Sequence, residues 1–158
     1  MRVIIIHAMG DSSSITVRRV EWREAAAQLR AIRFEVFVTE QHVPEELEWD
    51  GRDEQCVHVL ARTQAGQAVG TARLLPDAHI GRMAVLAQWR GHGVGGLLLG
   101  ELLKAALARG HTHVELSAQT HAIGFYQRFG FAVVSDEYSD AGIPHRTMRL
   151  ALATPAPR

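Results

Sequence analysis

The chain has 158 residues, 47% hydrophobic and 22% charged, enough for one domain with a sizeable buried core. Seventeen basic residues balance seventeen acidic ones, so no basic excess draws the chain to nucleic acid or a membrane surface, and neither is expected as a partner. The single cysteine, Cys56, excludes an internal disulfide and favours a reducing, cytoplasmic setting; beside Val57 it reads as a structural thiol.

The opening apolar patch, Ile4-Ile5-Ile6, is too short for a secretory signal, and residues 1–14 read as a loose leader. A single domain is expected over 15–152, followed by a flexible tail over 153–158. Residues 15–20 alternate as a short strand. From Trp22 the apolar positions fall at Ala25, Ala26, Leu29, Ile32 and Val36, the spacing of an amphipathic helix that Pro44 brings to an end. Residues 45–54 carry six acids and read as an exposed loop or short helix. Strands are expected over 57–62, 68–75 and 79–86, separated by Gln64-Ala65-Gly66 and Pro76-Asp77. A helix from the glycine-rich run at 90–96 to Gly110 follows, then a strand through Val114, Leu116 and Ala118 and a helix over 121–129. Two strands, near 131–138 and 143–151, close the chain, joined by residues 139–142. This order predicts a mixed α/β sheet with at least one parallel crossover.

The strongest chemical signal is Arg90-Gly91-His92-Gly93-Val94-Gly95-Gly96, between a strand and a helix. A helix start leaves backbone N–H groups without internal partners and carries the positive end of the helix dipole. Glycines let an anion approach those groups, and Arg90 and His92 can add donors at the rim, an arrangement that suits a pyrophosphate. The rival reading is a tight turn whose glycines only let helix and strand pack closely. A P-loop is excluded, because Leu97 stands where lysine and a hydroxyl residue are needed. A dinucleotide fingerprint belongs after the first strand of a βαβ unit, and this loop comes late.

R-x-x-G-x-G after a strand, with Phe125-Tyr126-Gln127-Arg128-Phe129-Gly130-Phe131 downstream, resembles the acyl-CoA-binding motifs of the GNAT acyltransferase superfamily. More narrowly the chain is similar to the ElaA/YjcF-like branch. The supporting residues are Val36-Phe37-Val38-Thr39-Glu40-Gln41, Asp50-Gly51-Arg52-Asp53, Ala72-Arg73-Leu74, Ser117-Ala118-Gln119 and Gly142-Ile143-Pro144-His145. The resemblance spans roughly residues 15–150. It implies a GNAT fold: a mixed, mostly antiparallel sheet, splayed between a parallel strand pair (79–86 and 112–118) and flanked by helices. Acetyl-CoA would lie in the splay as cosubstrate. Backbone groups of Met83 and Val85 would pair with pantetheine, and the N–H groups of Gly93, Val94 and Gly95 with the pyrophosphate. The superfamily's asparagine near the start of the second helix is absent; Ala122 and Ile123 stand there.

The activity implied is N-acetyl transfer by direct attack of an amine. Tyr126 would protonate the departing thiolate; its rival role is core packing beside Phe125. An alkyl amine is mostly protonated at neutral pH and must lose a proton before it attacks. Glu40, Glu46, Glu48, Asp50, His145 or a water network could take it, with His145 and Glu48 entered beside Tyr126 as candidate catalytic residues. The acidic run would favour a cationic acceptor, a small molecule or lysine-bearing peptide; its rival reading is a solvated loop that touches no substrate. His111, His113 and His121 have no second cluster to complete a ligand set, so no metal is expected. A non-catalytic acyl-CoA-binding regulatory module, transfer to an alcohol or of a longer acyl chain, and an interaction domain stay open as rivals. So does the choice between monomer and homodimer.

Overall fold

The computed structural model describes residues 4–7 and 14–153, the former by backbone alone. The expected leader is in part a strand: β1 (Ile4–His7) runs antiparallel to β2 (Ser14–Val20). The rest of the leader and most of the tail lie outside the described residues. Then come α1 (Trp22–Arg33), α2 (Glu45–Glu48), β3 (Val57–Thr63), β4 (Ala68–Leu74) and β5 (His79–Val85). These are followed by α3 (Val94–Ala108), β6 (His113–Gln119), α4 (Ile123–Gln127), β7 (Ala132–Val133), β8 (Tyr138–Asp140) and β9 (Ile143–Ala151). The strands form one sheet in the order β1-β2-β3-β4-β5-β6-β9-β7, with β8 beside β9. Among the described residues only the β5–β6 pair is parallel. The mixed α/β class therefore stands.

Alternation along β3 explains the layers. Val59 and Ala61 face α3 and its buried Leu98, Leu99 and Leu102, whereas Leu60 faces α1 and its buried Ala25, Leu29 and Ile32. Fully burying each such leucine contributes roughly 1.5–3 kcal/mol. α3 approaches the sheet closely because Gly70 has no side chain: a Cβ there would sit 3.0 Å from Val94 Cγ1 and 3.1 Å from Leu98 Cδ1.

Four local expectations change. The first helix does not run on as an α-helix through Val36; residues Phe34–Glu40 wind as a π-helix, with the Gln41 N–H on the Val36 carbonyl. Val36, Val38 and Thr39 are β-branched and weak helix formers, so tertiary contacts decide the winding there. The 121–129 helix shrinks to α4 after a short turn at Thr120–Ala122. The strand near 131–138 breaks into β7 and β8, and β8 joins β9 through a tight turn whose Ala141 and Gly142 both have positive φ. Finally, the acidic stretch is exposed only in part: Glu45, Glu46, Asp50 and Glu54 face solvent, but Glu48 and Asp53 are buried.

Candidate active site

β5 and β6 share only the pairs His79↔Glu115 and Ile80↔Leu116. Beyond them, residues 81–85 and 117–119 have no partner on one another, so the parallel strands diverge. β5 is bulged within the opening. Thr71 opposes Ala84 and Arg73 opposes Gly81, leaving Arg82 and Met83 facing a single β4 residue, and Arg82 takes φ +49°. Farther along, the Leu86 N–H donates to Val69 O at 2.9 Å. That makes Val85 a non-hydrogen-bonded partner of Gly70, with its own N–H and C=O turned away from β4 toward the opening.

The glycine loop follows β5. Gly91 and Gly93 hold φ +81° and +80°, where an L side chain is strained and nothing lies in the way of one. Gly95 and Gly96 are glycines for another reason: a Cβ on either would meet the ring of Phe125 at 3.3 Å or Phe129 at 3.1 Å. Packing therefore accounts for Gly95 and Gly96, and backbone conformation for Gly91 and Gly93. No side chain caps α3, and its first backbone bond at this end runs from the Leu97 N–H to Gly93 O. Among the described residues the N–H groups of Val94, Gly95 and Gly96 have no backbone acceptor outside the helix. His92 lies beside Trp89, ring centroids 5.9 Å apart. Arg90 is not free at the rim. Its Nη1 and Nη2 donate to the Glu40 carboxylate at 2.6 and 2.8 Å, and its Nε to Val85 O at 2.9 Å.

Tyr126 comes from the α3 side, edge-on to Phe125 and Phe131, and its hydroxyl donates to Met83 Sδ at 3.6 Å. Thioether sulfur is a weak acceptor, so this hydroxyl has a replaceable partner. Burial pushes the phenol up to about 12, which keeps it protonated at neutral pH. His145 lies on the opposite face of the sheet, paired in register with Gln119 of β6 and Tyr138 of β8. It is buried, with Nδ1 2.7 Å from Ile143 O. A carbonyl can only accept, so Nδ1 carries the proton and Nε2 is the acceptor of the neutral ring. Around it are Ser117, Thr147 and the Tyr138 hydroxyl, which is 2.5 Å from Ser117 Oγ and 3.0 Å from Thr147 Oγ1.

Of the carboxylates offered as bases, all but Glu46 are held by arginines. Hydrogen bonds from Arg90 lower the Glu40 carboxyl pKa. Arg73 holds Asp50 well below the carboxylate range. Glu46 is exposed on α2. Glu48 is braced by Arg33 Nη2 at 3.0 Å and Arg82 Nε at 2.8 Å; burial nonetheless raises its pKa, more than those cations lower it. Asp53 receives Arg33 at 2.7 Å and Arg73 at 2.9 Å. Trp22 and Trp49 cover this cluster through the Arg30 and Arg33 guanidiniums. The sequence gives Arg33, Arg73 and Arg82 no role, because their partners lie 15–35 residues away. Gln41 and Gln119 carried the family resemblance but no role. No group of residues suited to a metal occurs among the described residues.

A divergent parallel pair with an uncapped helix start beside it is the architecture of one acyltransferase class. The chain belongs to the GNAT acetyltransferase family: residues 21–152 match the acetyltransferase (GNAT) domain. It is 40% identical over 121 residues to the uncharacterized N-acetyltransferase YjcF of Bacillus subtilis (strain 168), covering 74% of this chain and 86% of that protein. The crystal structure of Escherichia coli ElaA superposes with a TM-score of 0.76 at 31% identity, covering 85% of this chain and 98% of that one. An acyl-CoA N-acyltransferase structure from Pseudomonas aeruginosa gives 0.72 at 35%, covering 89% and 100%. No described helix is long and apolar enough to cross a membrane.

Proposed function

We infer that the chain transfers the acetyl group of acetyl-CoA directly to an amine. The observation that carries this reading is the Tyr126 hydroxyl on Met83, at the bulge of a strand whose Val85 N–H and C=O turn into an open splay. In this reading the N–H groups of Val94, Gly95 and Gly96, with Gly93, hold the pyrophosphate. Gly91 and Gly93 shape the loop, and His92 lies at its rim. Val85 N–H and the Met83 backbone pair with pantetheine. Tyr126 then donates its proton to the sulfur as the thioester C–S bond breaks. His145 Nε2 takes the proton from the amine as nitrogen bonds to the acetyl carbon. Glu48 is assigned to the fold instead, because two guanidiniums already share its charge.

The acceptor is an amine of a small molecule or peptide. The case for a cationic one weakens here, since Glu48, Asp50 and Asp53 are spent on arginines. Calorimetry with acetyl-CoA and a thiol-release assay against an amine panel test the reading. Binding with turnover of at least one amine is expected. Absence of binding removes the whole assignment, while binding without turnover leaves the non-catalytic module.

A further inference from the structure

Glu40, the last residue of the π-helix, and Gln41 just after it reach opposite lips of the splay. Glu40 holds Arg90, which in turn caps Val85 O at the end of β5. The next residue, Gln41, exchanges amide hydrogen bonds with Gln119 at the end of β6: Gln119 Nε2 donates to Gln41 Oε1 at 2.9 Å, and Gln41 Nε2 to Gln119 Oε1 at 3.3 Å. His121 Nε2 adds a contact of 2.7 Å to the same Gln119 oxygen. Past Ile80 and Leu116 no ladder joins these strands. One dipeptide therefore ties together strand ends that the sheet itself leaves apart.

We propose that Glu40 and Gln41 are positioning residues that set the width of the splay, through Arg90 and Gln119 as anchors. Arg90 is then a strut and not a phosphate ligand. Its guanidinium is bidentate on Glu40, a geometry that fixes direction as well as distance. The winding fits the role: a π-helix turns the chain less per residue than an α-helix, and here its last residue faces one lip while the next faces the other. Exposed ion pairs contribute little to folding, so this pair is free to serve the site.

The inference rests on acetyl-CoA occupying the splay, and the test separates the two. Two probes are titrated calorimetrically into the native protein, Glu40→Gln, Gln41→Ala and the Arg90→Lys variant. Coenzyme A carries pantetheine; adenosine 3′,5′-bisphosphate carries only the nucleotide end. A splay held at the wrong width weakens coenzyme A by about fivefold or more in each variant. The bisphosphate affinity stays as in the native protein, and Tm shifts little. With the best amine found, KM for acetyl-CoA rises more than kcat falls. Equal weakening of both probes overturns the proposal by making the contacts part of the phosphate loop. Unchanged coenzyme A affinity in Glu40→Gln and Gln41→Ala overturns it outright. A native protein that binds neither probe removes the underlying reading and the proposal with it.

Discussion

Residues 90–96 and residues 45–54 are both short, polar and conspicuous in the sequence, and they turn out differently. The first is built from backbone: two left-handed glycines, a helix start and uncapped N–H groups, all fixed by neighbours in the chain. The second is built from side-chain charges whose partners come from α1, β4 and β5. Six acids in ten residues look like a solvated, cation-attracting surface until Arg33, Arg73 and Arg82 are seen to consume three of them. A site made by local backbone can be read in one dimension. A charge cannot, because its meaning depends on what faces it.

The largest expected effect strikes the second region. Arg73→Ala leaves Asp50 and Asp53 short of a cation in a partly buried place, and should cost about 3–5 kcal/mol of unfolding free energy in urea titrations. A loss below about 1 kcal/mol would mean that these acids are solvated after all. For the backbone-built site the sharpest test is Tyr126→Phe. If the hydroxyl acts only as charge develops on sulfur, kcat should fall about 100-fold while calorimetric affinity for acetyl-CoA holds. Equal kcat across several amines would return Tyr126 to the core.

Gly93→Ala comes next. At φ +80° it should cost roughly 1–2 kcal/mol in stability, with weaker coenzyme A binding. Gly96→Ala, pressed 3.1 Å from Phe129, should disturb packing against α4 instead. Comparable binding losses from the two would erase the distinction between loop-shaping and packing glycines.

A smaller effect concerns pH. Burial lowers the His58 pKa below its ordinary 6.5, so the unfolded chain takes the proton first. His58 therefore contributes stability above pH 6.5 that is lost as pH falls toward its folded value. Asp50 and Asp53, lowered from 3.8, lose theirs only in stronger acid. Glu48, raised above 4.5, works in the opposite sense: its protonation on acidification favours the fold. Tm should begin to drop below about pH 6.5, and His58→Gln should flatten that first limb. Smallest of all, Glu46→Gln on the exposed face of α2 should change Tm and KM hardly at all, within about 0.5 kcal/mol.

Legible in the sequence were the mixed sheet, the succession of strands along the chain from β2 to β6, the helix after the glycine loop and the family. Those rest on apolar period, turn residues and motifs that neighbours in the chain specify. It also placed Tyr126 and His145 among the candidates, without showing that one comes from the α3 side and the other from the opposite face. Tertiary structure alone brings Arg90 onto Glu40 and Glu48 onto its arginines. It alone showed the π-helix and the residue after it reaching both lips of the splay. Each of those depends on side chains 15–78 residues apart meeting in space, and periodicity carries no information about which distant charge or amide a side chain will face.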